Sequence, residues 1–154
     1  GFSGVNNWAS VGMVDGNFRR VLENSGMGFG REVDFMRQAH DYGLFTIAYL
    51  FDADQGRAMA EAGVDAIVVH LGVGGEMISL EDSPALVTEI AEATHSVKPD
   101  VFVLTHGGYL RTPADAAFVA DRSPSVGYLG APDSPALMGE LIKKRAQEYK
   151  HPLK

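Results

Sequence analysis

The sequence predicts an α/β chain built on a parallel sheet, and three observations predict it. Three short apolar runs, 44-LFTIAYLF-51, 66-AIVVHLG-72 and 101-VFVLTHG-107, lack the alternation of a half-exposed strand. Strands covered on both faces, as in parallel sheets, read this way. The segments between the runs carry helical spacing of apolar residues instead. Finally, Ser83-Pro84, Thr112-Pro113 and Ser134-Pro135 share one helix-start device. A hydroxyl caps the free amides, and proline at the first helical position gives up an N–H that has no partner there anyway.

Taken in order, Phe2 to Asn7 is a weak strand candidate. The excursion 12-GMVDGNFRRVLENSGMGFGREVDFMRQAH-40 predicts a loop at Asp15-Gly16, a short helix, a glycine break and a longer helix. In the short helix Phe18, Val21 and Leu22 share a face, and Arg19 can pair with Glu23 at i, i+4. Between Arg31 and Tyr42, Val33, Met36, Ala39 and His40 fall on one face, and Gly43 closes the helix. After the first strong strand, Asp52 caps a helix that Gly63 ends. After the second, 72-GVGGEMISLEDSP-84 reads as irregular: a surface loop, or a lid hinged on its glycines. Ser83 is the expected N-cap of the next helix, with Pro84 at its first position. Thr112-Pro113 opens another helix, and Gly127 to Gly130 is a last weak strand. A strand-helix alternation repeated about five times implies right-handed crossovers and parallel strands. It fits a doubly wound sheet or part of a (β/α)8 barrel, because a whole barrel takes roughly 250 residues and the chain has 154.

Composition narrows the function. The chain is 45% hydrophobic and 21% charged, with a formal net charge of -7. A net acidic chain without a basic patch is not built for nucleic acid or an anionic membrane. There is no cysteine, which excludes disulfides, zinc-thiolate sites and thiol nucleophiles. No apolar run approaches the roughly 20 residues of a membrane helix, and no signal peptide is visible, so the cytoplasm is the expected compartment. The opening Gly1 reads as the start of an excised segment.

In either architecture ligands meet the carboxyl ends of the strands. Those ends carry Asn6 and Asn7, then Tyr49 and Phe51, then His70 with Gly72, Gly74 and Gly75, then His106 with Gly107 and Gly108, and last Gly130 with Ala131. A lone histidine at a strand end is commonly a packed, hydrogen-bonded residue. Two in matching positions on neighbouring strands, each leading into glycine, point to a site where imidazoles act as acid, base or oxyanion donor. Gly107-Gly108 and Gly130-Ala131 can offer bare backbone N–H groups to an anion at a helix N-terminus, with Arg111 the nearest cation; they can equally be tight turns. Asp15, Asp52 and Glu76 are the acidic candidates for a divalent metal, with capping or solvation as the alternative. There is no phosphate-binding P-loop, no G-x-G-x-x-G opening a helix and no G-x-S-x-G elbow.

The strings 1-GFSGVNNWASVG-12, 15-DGNFRRVLENSGMG-28, 58-AMAEAGVDAIVVHLG-72 and 105-THGG-108 resemble the phosphoenolpyruvate hydrolase-like family. This family of barrel-type signal-transduction proteins is similar in fold to the phosphoenolpyruvate mutase and isocitrate lyase group. A related domain occurs in plant virus-resistance proteins that bind a viral replication protein. The resemblance covers nearly the whole chain. It implies the C-terminal portion of a TIM (β/α)8 barrel, about strands four to eight, so that residues 1–154 form a single domain lacking its first three βα units. Phe2 to Asn7 then becomes strand four, and Gly127 to Gly130 strand eight. It places Asn7, Asp15, His70 and His106 around the barrel mouth. The chain departs from the pattern after strand six, where Gly-Val-Gly-Gly-Glu-Met is short and poor in threonine, and it lacks the acidic metal-binding cluster of the mutase group.

The resemblance therefore implies an enzyme for a small phosphorylated or carboxylated metabolite of the phosphoenolpyruvate or phosphonopyruvate kind, a hydrolase or lyase. His70, His106 and Asp15 are the expected catalytic residues. Asn7, Tyr49, Gly72, Gly107, Gly108, Gly130 and Ala131 are the expected ligand contacts. A divalent metal such as magnesium would be supplied by residues outside this chain. The alternative is a non-catalytic signalling module that uses the same mouth to bind a ligand or a protein. The expected partners are a small anionic metabolite, together with a second copy of the chain or the missing N-terminal barrel units, because an open arc of strands exposes its edges.

Overall fold

The computed structural model describes residues 1–73 and 76–130, together with 139 and 143. A five-stranded parallel sheet organises them. Strand β1 (Gly4–Asn6) leads through a short 3-10 turn (Val11–Met13) into helices α1 (Gly16–Asn24) and α2 (Phe29–Asp41). Strand β2 (Phe45–Leu50), helix α3 (Ala53–Glu61) and strand β3 (Ala66–His70) follow. A small hairpin, β4 (Gly72–Val73) with β5 (Glu76–Met77), precedes helix α4 (Ser83–His95). Strand β6 (Phe102–His106), helix α5 (Pro113–Ala120) and strand β7 (Gly127–Tyr128) complete the described fold.

Strand order across the sheet is β1-β2-β3-β6-β7, the order of the chain without a reversal. A doubly wound sheet reverses direction at a switch point; this sheet has none. Of the two architectures the pattern allowed, the structure is the barrel type: part of a TIM barrel.

Local chemistry explains most boundaries. Asp52 accepts the N–H of Gln55 and caps α3. Thr112 and Asp115 form a reciprocal capping box at α5, with Pro113 in the first turn. Gly43 and Gly63 follow α2 and α3 at φ of +73° and +86°, as helix-ending glycines do. Arg19 and Glu23 pair as their spacing predicts. Two expectations shift. The N-cap of α4 is Asp82, not Ser83, because the Ser83 hydroxyl turns back to donate to the carbonyl of Ser79. The stretch after β3 is a hairpin at its start rather than a wholly irregular loop, held where Ile78 donates to Leu71. The Ser134-Pro135 helix start lies outside the described residues.

Residues paired across parallel strands share a face. On one face Ala48, Leu50, Ile67, Val69 and Val103 pack with Met36 of α2, Met59 of α3, and Val87 and Ile90 of α4 in a single core. Each of these side chains larger than alanine, taken fully out of water, contributes on the order of 1.5–3 kcal/mol. Gly56 lets α3 lie close to α4: a Cβ there would stand 2.6 Å from the Thr94 hydroxyl. The opposite face carries Phe45, Ile47, Phe102 and Leu104 at its lower part, with Phe45 45% and Phe102 56% exposed. At its upper rim it carries the histidines.

Candidate functional site

His70 and His106 are register partners at the carboxyl ends of β3 and β6. Both are buried, and their ring centroids lie 5.0 Å apart at an interplanar angle of 64°. Parallel pairing forces this closeness: two residues in register project to the same side about one strand spacing apart.

Each ring is held by a backbone group on Nδ1, but with opposite polarity. The Gly72 N–H donates to His70 Nδ1 at 3.1 Å. That nitrogen must therefore carry a lone pair, and the neutral ring keeps its proton on Nε2. His106 Nδ1 lies 2.7 Å from the carbonyl oxygen of Leu129. A carbonyl only accepts, so here Nδ1 carries the proton and Nε2 the lone pair. One imidazole thus presents a donor at Nε2 and its neighbour an acceptor. Chain geometry fixes both assignments, through the turn after β3 and through β7.

Aromatic rings enclose the pair. Trp8 stacks on His70 at 5.2 Å and 5°, and meets His106 edge-on at 6.0 Å. Tyr49 lies 4.7 Å from Trp8 and 5.6 Å from His106, while Phe51 stacks on the His70 ring at 5.1 Å. Tyr49 and Phe51 stand at strand ends, as the sequence places them. Trp8 is the residue that sequence reasoning misses. Its one signal is its position two residues beyond the end of β1, on the rim that the other strand ends share.

Gly107 and Gly108 answer to packing. Gly107 has φ +76°, and a Cβ on it would stand 2.9 Å from His70 Cε1 and 3.1 Å from the Gly72 carbonyl. Gly108 has φ +60°, and its Cβ would meet Leu71 backbone and side chain at 2.8 Å. The Gly108 N–H donates to the carbonyl of Gly72 at 3.0 Å, and Gly72 itself donates to His70. The Gly108 amide, expected to face an anion, and the Gly72 amide, expected at the ligand, therefore both have partners within the fold. Gly130 is exposed, immediately after the residue whose carbonyl holds His106; Ala131 lies outside the described residues. Arg111 stands over the Tyr109 ring at 5.4 Å. The N-terminus of α5 is already engaged: the Arg111 and Thr112 N–H groups just before it donate to the Asp115 carboxylate, and the Asp115 N–H donates to the Thr112 hydroxyl.

Asn7 is buried and sits at the base of this cluster. Its side-chain amide continues the β1–β2 ladder by accepting from the Tyr49 N–H at 2.7 Å and donating to the Tyr49 carbonyl at 3.0 Å. Its remaining N–H donates to Glu32 at 2.6 Å. Asp15 lies exposed at the start of α1 with no side-chain cap bond. Among the described residues no three histidine or carboxylate side chains are grouped to hold a metal. Asp52 is committed to its cap and Glu32 to the Asn7 amide. A hard cation such as magnesium takes oxygen ligands, and two imidazoles among aromatic rings do not fit one. No helix among the described residues is long and apolar enough to cross a membrane.

Comparison with known proteins agrees with this architecture. Two Solanum lycopersicum proteins, "ToMV susceptible protein tm-1(GCR26)" and "ToMV resistance protein Tm-1(GCR237)", are each 45% identical over 97% of the chain. The chain spans 21% of their length. Among solved structures, a putative phosphonomutase from Burkholderia cenocepacia is similar with a TM-score of 0.53 at 11% identity, over 97% of this chain and 85% of that one. This supports the barrel fold. The profile of the phosphoenolpyruvate hydrolase-like family matches residues 1–151, the span that carries the β1–β7 sheet and both rim histidines, and the chain belongs to that family.

Proposed function

We propose that this segment carries the acid/base half of a TIM-barrel active site acting on a small carboxylated or phosphorylated metabolite of the phosphoenolpyruvate or phosphonopyruvate kind. The observation that carries the reading is the opposed tautomers of His70 and His106, 5.0 Å apart at the strand ends. In this reading His106 Nε2 takes a proton from an attacking water or a substrate hydroxyl. The His70 Nε2–H donates to the oxygen where negative charge collects, so the two rings act on neighbouring atoms of one substrate. Both imidazoles are buried, and the low access of water strengthens both interactions. The anionic end of the substrate lies toward Gly130, beside Leu129. The carboxylates or metal that complete the chemistry come from chain outside these residues, as do the side chains that cover Phe45 and Phe102.

The test is turnover of phosphoenolpyruvate and phosphonopyruvate by the full-length protein, followed as pyruvate release. His106→Ala should abolish it while circular dichroism stays that of the parent; unchanged kinetics would remove His106 from the mechanism.

A second reading is a binding or signalling module. What favours it is the 45% identity to proteins named for susceptibility and resistance to a virus, together with the engagement of the Gly72 and Gly108 amides inside the fold. Small phosphates and carboxylates that raise the melting temperature and are never converted would support the module.

A further inference from the structure

Trp8 is the single tryptophan of the chain. Its indole lies on His70 although the segment that carries it, between β1 and α1, has little regular structure. Something must hold that segment down. Glu32, in the first turn of α2, reaches across to it with both carboxylate oxygens. One accepts the Asn7 side-chain amide at 2.6 Å, and the other accepts the Val11 N–H at 2.6 Å. The two anchor points bracket Trp8 on either side. The orientation of the Asn7 amide is itself fixed by its two bonds to the Tyr49 backbone. The carbonyl of Val11 is taken as well, by the Arg19 guanidinium at 3.1 Å, and Arg19 pairs with Glu23.

We infer that Glu32 is a positioning residue: its carboxylate straps the 7–11 loop so that Trp8 covers the face of His70, and it thereby sets how deep a ligand reaches toward His106. No role for Glu32 follows from the family resemblance. Sequence reading leaves it as an acidic residue in a helix first turn, where the dipole alone would explain it. The geometry differs from dipole compensation because the acceptors are used on another segment. Charge-assisted hydrogen bonds of this kind are shorter and stronger than neutral ones. The inference rests on the two-histidine site for its functional meaning, but the strap itself is tested without any turnover.

The measurement is steady-state fluorescence of Trp8, with acrylamide quenching, in the full chain. Trp8 is 44% exposed, so the stacked imidazole is what marks its emission and covers one face of the ring. Glu32→Ala should raise the emission intensity, as the stacked imidazole leaves the indole, and increase the quenching constant as the covered face opens. Glu32→Gln should fall between, because its amide oxygen can still accept from Val11 while its N–H groups face those of Asn7. Asp34→Ala, on the same helix and paired only with Arg37, should leave Trp8 as in the parent. The strap is overturned if folded Glu32→Ala shows parent emission and quenching, or if Asp34→Ala moves them equally. Should Glu32→Ala fail to fold, Glu32→Gln decides by the same readout: parent-like Trp8 overturns the strap. Loss of turnover at His106→Ala bears on the chemistry alone, so the two ideas fail separately.

Discussion

Trp8 lies flat on His70, with ring centroids 5.2 Å apart and planes 5° from parallel. A residue from the loop after β1 thus covers one from the end of β3, two strands away in the sheet. Converging strand ends make such a contact possible. The rim of a parallel sheet gathers side chains that are distant along the chain.

Substituting His106 tests the chemistry. His106→Asn keeps a donor near the Leu129 carbonyl but offers no basic nitrogen in place of Nε2. If His106 is the base, turnover should fall by about 10²–10⁴-fold, the usual range for a general acid/base residue, and thermal stability should change little. Steady-state kinetics with phosphonopyruvate measures it.

Gly107 is expected to tolerate no side chain. Gly107→Ala combines a left-handed backbone with a Cβ placed 2.9 Å from His70 Cε1. A cost on the order of 1–3 kcal/mol follows from the backbone strain alone. Urea unfolding should show it, and Trp8 emission should change with the displaced His70 ring.

Core packing sets a larger scale. Met36 of α2 is fully buried against the sheet. Met36→Ala should cost about 2–5 kcal/mol through lost burial and the cavity left behind, seen as a lower denaturation midpoint at unchanged slope.

Acid should loosen the loop anchor at α1. The hydrogen bond from Arg19 holds the Glu23 carboxyl below its ordinary value, and the backbone N–H of Phe29 adds to this. A carboxyl with a depressed folded value binds its proton more weakly folded than unfolded. Its contribution is therefore present above the ordinary carboxylate range and is lost as pH falls through the depressed value. Glu23 is 41% exposed, so solvent screening keeps the gain at or below about 1 kcal/mol. Stability curves of the parent and Glu23→Gln should converge at acid pH and separate toward neutrality.

The uncovered lower sheet face predicts association. Phe45 of β2 and Phe102 of β6 lie on this same face, with β3 between their strands, and both are exposed. Studied as this segment alone, the chain should self-associate in light scattering, and Phe102→Lys should reduce that. A monomeric segment with a cooperative melt would contradict this expectation.

The strands, the helices and the paired histidines were legible in the sequence because each rests on short-range pattern. Apolar runs ended at His70 and His106, and Asp52, Thr112 and Gly63 marked helix ends by local hydrogen bonding or φ alone. What escaped depends on the path of a loop. Trp8 has no periodic neighbours, so nothing local says which ring it will meet. Glu32 looks like any first-turn acid until the 7–11 segment is laid beside it. Asn7 reads as a ligand contact by its position, whereas the folded backbone of Tyr49 takes up its amide. Gly108 reads as an anion donor and Gly72 as a ligand contact, and only the turn geometry after β3 shows both N–H groups already bonded.

Long-range 1H–15N correlation spectra of the imidazoles, taken near pH 8, above the ordinary histidine pKa of about 6.5, test the site most directly. The two rings should show opposite tautomers, His70 with its proton on Nε2 and His106 with its proton on Nδ1. The same tautomer on both rings would contradict the donor-acceptor pair.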